Sequence, residues 1–382
     1  MLAPTHPAEL ADALRCAAAD GRTISLMGSS TKKRMGGPVE PADVAITTMS
    51  LRGVLQYEPR DLTVSVLAGL SWCEFVNLLA EHRQMVPLDP PYESGATVGG
   101  VIAANSSGPR RRLYGTARDL VIGMTFATLE GKLVKSGGMV VKNVAGLDMA
   151  KLMIGSFGTL AAIAVVNFKL QPMPEIERSF LLPFESLAAA IVARNAVLRG
   201  PLLPSAIDLL NPAAARTLGH SGWLLALRTG GNEAAVRRYE TEFAQYGGAQ
   251  AFEGADQDTL WRHVVNFTKQ FLAAHDDGAV VRVSCTLKDS EAVMQAFPGP
   301  AIARAGSGVC YGYYEESRAA AQWMKSSVPP ECRAVMEFAA DEARRSLELW
   351  PSPGADLEMM RRVKHLFDPK NLLNRGRLYR II

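Results

Sequence analysis

Residues 87–119, PLDPPYESGATVGGVIAANSSGPRRRLYGTARD, decide how this 382-residue chain is read. The stretch is dense in glycine, serine and threonine and has no long helical or strand periodicity. Side chains this small cannot fill a core. Glycine lets backbone N–H groups approach a ligand closely, and successive N–H groups of that kind form concave anion sites. Gly95-Ala96-Thr97-Val98-Gly99-Gly100 followed by Asn105-Ser106-Ser107-Gly108 therefore reads as a cradle for a large phosphorylated cofactor. The plain alternative is a surface loop, which such composition also builds. Apolar Val98, Val101, Ile102, Ala103 and Ala104 lie inside the run and argue for burial.

Upstream, Leu10, Ala13, Leu14 and Ala17 recur at helical spacing behind Pro7 and ahead of Gly21. Thr23–Met27 alternates like a strand and enters Gly28-Ser29-Ser30-Thr31-Lys32, a candidate second phosphate contact or a plain strand-to-loop turn. It has neither the P-loop spacing nor the G-x-G-x-x-G dinucleotide fingerprint. Val54–Tyr57 and Leu62–Val66 predict a hairpin, and Ser71 with Glu74 predicts a capping box opening a helix that buries Trp72, Phe75, Leu78 and Leu79. Downstream, Leu120–Leu129 and Lys132–Val134 read as strands. A second small-residue cluster, Gly155–Thr159, feeds the strand Leu160–Leu170.

After Pro172 and Pro174 such loops become rare, and short strands near Phe180, Ala206, Leu224, Val281 and Tyr311 alternate with helices near Ala189, Val236, Val264, Val293 and Ala320. The expected organisation is α+β: a cofactor domain over 1–174, a cap with its own antiparallel sheet over 175–350, and a tail over 351–382. The tail opens on a helix, Asp356–Leu366, and ends in FDPKNLLNRGR.

A net charge of +3 with dispersed Lys and Arg argues against nucleic acid. Arg110-Arg111-Arg112 is a tight basic run inside the small-residue stretch, suited to docking a partner, binding an anion, or simple solvation. No apolar run reaches membrane-spanning length, so the expected location is cytoplasmic, with peripheral attachment through a membrane complex left open. The five cysteines form no C-x-x-C pair, which argues against a disulfide framework, structural zinc or an iron–sulfur cluster on this chain.

Three segments in order, GATVGGVIAANSSGPRRRLYGTARDLVIG, KNVAGLDMAKLMIGSFGTLAAIA and FDPKNLLNRGR, resemble the FAD-binding domain of the vanillyl-alcohol-oxidase (PCMH-type) superfamily. Within it the chain is similar to the FAD-binding E-type subunits of bacterial glycolate oxidases (glycolate dehydrogenases). The resemblance covers the first domain and the tail. It implies two α+β subdomains with FAD extended between them, an α+β cap, and a tail returning to the flavin. Carried over by position, Met27, Gly28, Ser29, Ser30, Thr31 and Lys32 would wrap the pyrophosphate. Pro90, Gly95, Ala96, Thr97, Gly99, Gly100, Asn105, Ser106 and Gly108 would line the flavin and its phosphates, and Tyr114 and Gly115 would close that wall. Ile163 would meet the adenine end, and Asn374 would approach the isoalloxazine.

The chain departs from the pattern in two places. Ser29, Ser30 and Thr31 stand where the family's first loop is usually richer in glycine. Leu147 stands where a tyrosine often follows the glycine of K-[ND]-x-x-G. The loops offer no His or Cys for covalent attachment, so FAD is expected to be dissociable.

Related catalytic subunits hold a divalent metal on clustered histidines of the cap. Here His6, His82, His220, His263, His275 and His365 make no close pair. His275-Asp276-Asp277 is better read as a polar turn, and His263 as a packed helical residue. No metal and no identifiable catalytic residue are therefore expected. The resemblance then implies an FAD-binding subunit of a glycolate oxidase complex that carries electrons during oxidation of glycolate to glyoxylate. Its partners would be a homologous FAD-containing catalytic subunit and an iron–sulfur subunit. One alternative is a free-standing FAD-dependent 2-hydroxy-acid dehydrogenase of the D-lactate type, with Arg110 or Arg112 on the substrate carboxylate. The other is an NADPH-using reductase of the same fold, disfavoured by the long cap and the tail.

Overall fold

Helix α1 (Pro7–Ala19) buries Leu10, Ala11, Leu14 and Ala17, and Gly21 at φ +67° turns the chain toward the first sheet. The computed structural model describes residues 1–140 and 147–382. Strand β1 (Ile24–Met27) pairs in parallel with β2 (Val44–Thr47). The expected hairpin is present as β3 (Val54–Glu58) and β4 (Thr63–Leu67), closed by a tight turn over Pro59–Asp61. Helix α2 (Trp72–Glu81) starts at Ser71, whose side chain accepts from the Glu74 N–H. It buries Trp72, Phe75 and Leu79, whereas Leu78 is half-buried.

The small-residue stretch is more ordered than its composition predicts. Thr97 caps a six-residue helix, α3 (Val98–Ala103), and a single helical turn, α4 (Arg111–Tyr114), follows. Val98, Val101 and Ile102 are fully buried, which is what lets so polar a segment sit inside the molecule. A short pair, β5 (Gln84–Met85) and β9 (Gln171–Pro172), ties this stretch to the end of the main sheet. That sheet has five antiparallel strands, adding β6 (Val121–Ala127), β7 (Leu133–Gly137) and β8 (Ala162–Lys169) in the order β3-β4-β8-β6-β7. Phe75, Phe126 and Phe168 are fully buried beneath it. Of the KNVAGLDM motif, residues 142–146 lie outside the described residues. Leu147, at the tyrosine position, is 83% exposed.

The cap is an eight-stranded antiparallel sheet: β10 (Ile176–Phe184), β11 (Ala206–Leu210), β12 (Trp223–Gly231), β13 (Gln250–Phe252), β14 (Ala279–Ser284), β15 (Ala301–Arg304), β16 (Val309–Tyr314) and β17 (Arg333–Phe338). They lie in the order β13-β10-β12-β11-β15-β16-β14-β17. Alternation decides what each face carries. Ile207, Leu209, Val281, Val283, Ala303 and Cys310 point into the helix-covered core. The intervening positions Asp208, Arg282, Arg304 and Tyr311 therefore point the other way, toward the first half of the molecule. The Cys285 and Cys310 sulfurs lie 4.0 Å apart, and all five cysteines are free thiols.

The tail helix (Ala355–Phe367) leads back to β1. Ile24 N–H donates to Leu372 O, and Asn374 N–H donates to Ile24 O. Among the described residues no helix is long and apolar enough to cross a membrane.

Candidate active site

Two adjoining cavities share Ala104 and Phe157 in their walls. The smaller, about 160 Å³, begins where β1 runs out into Met27, Gly28, Ser29, Ser30, Thr31 and Lys32; Thr97, Gly100, Asn374 and Arg377 complete its wall. Thr97 organises this end. Its hydroxyl accepts from the Gly100 N–H at 3.2 Å, and a Cβ on Gly28 would stand 2.5 Å from the same oxygen. Glycine is thus required at position 28 by close approach.

Lys32 has no side-chain hydrogen bond or ion pair among the described residues, and burial pushes its ammonium down to about 8. A desolvated cation facing a wall of small residues fits a phosphate anion. Arg377 donates to Gly37 O at 2.7 Å and Met35 O at 2.8 Å, with its guanidinium over the Phe157 ring. Burial lowers it to about 10.

The larger cavity, about 400 Å³, lies between the small-residue stretch and the cap sheet. Its polar wall is Asn105, Ser106, Arg111, Arg282, Arg304, Tyr311 and Glu337. The sheet register builds this cluster: Asp208 stands opposite Arg304, and Arg282 opposite Tyr311. Arg304 pairs with fully buried Asp208, and Arg282 Nε lies 3.1 Å from Glu337 Oε1. Burial raises both carboxyls against the pull of their arginines, Asp208 to about 6 and Glu337 upward. Ser106 Oγ and Arg304 Nε are buried without a hydrogen-bond partner among the described residues.

The arginine triplet divides by function. Arg110 is locked to Asp89 by a bidentate buried ion pair, with Nη2–Oδ1 at 2.5 Å and Nε–Oδ1 at 2.8 Å. Arg112 donates to Pro204 O and packs against Gly306. Arg111 faces the larger cavity. All three are half-buried rather than exposed; Asp89 holds Arg110, and Arg112 borders neither cavity.

Of the residues expected around the cofactor, Met27 to Lys32, Thr97, Gly100 and Asn374 line the smaller cavity, and Asn105 and Ser106 the larger. The remainder stand behind these walls. Gly99 is held against the backbone: a Cβ there would meet Ala68 Cβ at 2.8 Å, so its small size serves packing at this contact. Gly108 lies against Asp89, Gly95 against Thr31, and Gly115 at φ +81° against Asp119. Ala96 is buried and Ile163 belongs to β8. Pro90 is also buried, whereas Tyr114 ends α4 and is half-buried. The Asn374 side chain is fully engaged: Oδ1 accepts from Leu26 N–H at 2.7 Å, and Nδ2 donates to Leu26 O and Phe157 O. It clamps the tail to β1. Behind it, Lys364 Nζ donates to Asp368 Oδ2, Thr159 O and Leu373 O, while Asp368 accepts from the Leu372 and Leu373 N–H groups.

Residues 1–137 match the FAD binding domain family, and residues 352–378 match the C-terminal domain of FAD linked oxidases. Two segments of the chain thus match domains of FAD-linked oxidases. The chain's cofactor is FAD, which the unpaired Lys32 and the small-residue wall fit. Glycolate oxidase subunit GlcE of Escherichia coli K12 is 35% identical over 164 residues, 43% of this chain and 46% of that protein. Glycolate oxidase subunit GlcD of Bacillus subtilis 168 is 27% identical over 211 residues, 55% of this chain and 45% of that one. The matches thus span under half the length of these two relatives. A D-2-hydroxyglutarate dehydrogenase of Xanthomonas citri pv. viticola matches more fully, at 24% identity over 98% of this chain and 88% of that protein. Among solved structures, p-cresol methylhydroxylase superposes with a TM-score of 0.74 at 14% identity, over 98% of this chain and 87% of that one. The chain therefore has the PCMH-type fold.

Sequence reasoning missed Arg282, Arg304, Tyr311 and Glu337. Each is an isolated polar residue in a short apolar strand, a pattern that points to a polar face but not to what that face meets.

Proposed function

We propose that this oxidoreductase is the FAD-binding subunit of a glycolate-oxidase-type complex, holding FAD while glycolate is oxidised to glyoxylate. The observation that carries the reading is the pair of adjoining cavities: a phosphate-suited cradle with a desolvated lysine lies beside a chamber walled in part by arginines. The likeness to two glycolate oxidase subunits supports it. When bound, FAD supplies a two-electron acceptor. The protein's own residues hold and orient: Met27 to Lys32 receive the pyrophosphate, Ser106 and Asn105 border the flavin end, and the arginines draw a small anion into a site shielded from water.

The arginine chamber favours direct entry of the acid into this chain over a purely relaying role beside a homologous catalytic subunit. An iron–sulfur subunit serves as the electron outlet in this scheme. The test is the visible spectrum of the FAD-loaded chain before and after anaerobic glycolate. Bleaching of the flavin band by the chain alone is expected. A band that bleaches only when partner subunits are added would transfer the chemistry to them, and no flavin band after reconstitution would overturn the assignment.

A further inference from the structure

We propose that the guanidinium of Arg111 is the anchor for the substrate's carboxylate, and that the chamber is built for one such group, a small monocarboxylate. The inference rests on the functional reading above and deepens it.

The argument is a charge count on the wall of the larger cavity. Arg304 has the carboxylate of Asp208, and Arg282 has that of Glu337. Arg111 has neither: its described side-chain hydrogen bond is a weak one, from Nη1 to Ser107 Oγ at 3.3 Å, and no carboxylate lies within ion-pair distance among the described residues. Three guanidinium groups against two carboxylates leave one positive charge uncompensated, in a place where burial and two neighbouring arginines already disfavour it. An unpaired buried charge is costly, and an incoming carboxylate relieves that cost. A planar guanidinium fork matches a carboxylate in two parallel hydrogen bonds.

A second, independent observation points to a ligand. Ser106 is 4% exposed and borders the same cavity, and its Oγ has no hydrogen-bond partner among the described residues. It can donate to an acceptor oxygen of the bound acid. The rest of the wall selects against a second carboxylate. Apart from the three arginines the lining contains no lysine, arginine or histidine among the described residues, and it includes Met35, Val265, Phe338 and Trp350. A second charge would be desolvated against apolar surface.

The test uses the FAD-loaded full chain and two acids that lack the hydrogen needed for oxidation, so that binding is read without turnover. These are 2-hydroxy-2-methylpropanoate (one carboxylate) and 2-hydroxy-2-methylbutanedioate (two), titrated by calorimetry and by perturbation of the flavin spectrum. The monoacid is expected to bind at least about tenfold more tightly than the diacid. Arg111→Gln is expected to weaken the monoacid by about 10- to 100-fold, the range for losing a charged hydrogen-bonding partner. Arg111→Lys, which keeps the charge and loses the fork, should fall between the two and serves as the working variant if Arg111→Gln loses FAD. Monoacid binding unchanged in either variant, equal or tighter binding of the diacid, or failure of the flavin-loaded wild type to bind either acid would overturn the anchor while leaving the flavoprotein assignment intact. Failure of the wild type to hold FAD would overturn the assignment on which it rests.

Discussion

Lys32 stands at the mouth of the smaller cavity with its ammonium pushed down to about 8 by burial and no acidic partner among the described residues. Below pH 8 it is charged before FAD arrives, so binding takes up no proton there. Above pH 8 it is neutral in the free protein, and a pyrophosphate beside it draws a proton from solution. FAD affinity should therefore fall as pH rises beyond 8, by up to about tenfold per pH unit. Lys32→Met should weaken FAD by about 10- to 100-fold at pH 7 and flatten that slope, since a charged hydrogen bond is lost. Flavin titrations of the apoprotein between pH 7 and 9.5 read both effects, and an unchanged slope in the variant would assign the proton uptake to another group. Position 99 offers a contrast. Its glycine invites substitution as a test of cofactor space, yet a Cβ there strikes Ala68. Gly99→Leu should lower stability whether or not FAD is bound, which urea unfolding of the apoprotein would show.

Among the elements, the tail helix and its extension behave as a latch. Lys364 and Asp368, one helical turn apart, are both buried, and between them they satisfy the Thr159 and Leu373 carbonyls and the Leu372 and Leu373 N–H groups. Asp368→Ala strands the ammonium and orphans two N–H groups, so a loss of about 3–5 kcal/mol is expected in urea unfolding. Lys364→Met, which keeps most of the side-chain volume, should cost less than Lys364→Ala, which also leaves a void. Helices with clear periodicity, such as α1, α2 and the tail helix, are legible in the chain because each has one wet and one buried side, whereas β4, buried along its whole length, is read from its β-branched run and the turn before it. Helix α3 is not, since glycines disfavour it locally and burial of Val98, Val101 and Ile102 with the Thr97 cap overrides that preference. Strands β13 and β15, of three and four residues, are too short to display alternation.

At the scale of the whole molecule, the cavities border both halves, with Met35 bridged to Phe338 and Tyr92 stacked on the same ring. On the proposed placement FAD contacts both walls, so unfolding the protein releases it. At free FAD one hundredfold above its Kd the folded state should gain about 2.7 kcal/mol, seen as a melting temperature that climbs with FAD concentration. A melting temperature indifferent to FAD would place binding outside the folded cavities.

Backbone chemistry that is local in the chain sufficed for the PCMH-type domain and the choice of FAD. Glycines, small hydroxyl residues and a lysine at the end of a strand bring together donors that are close in sequence. The acid chamber needed the fold. Asp208 reaches Arg304 across ninety-six residues because β11 lies beside β15. Strand alternation turns Arg282, Tyr311 and Arg304 onto the face that meets Arg111. Adjacent arginines 110, 111 and 112 look alike as letters, and only packing gives the first a buried aspartate, the third a carbonyl, and leaves the second for a ligand.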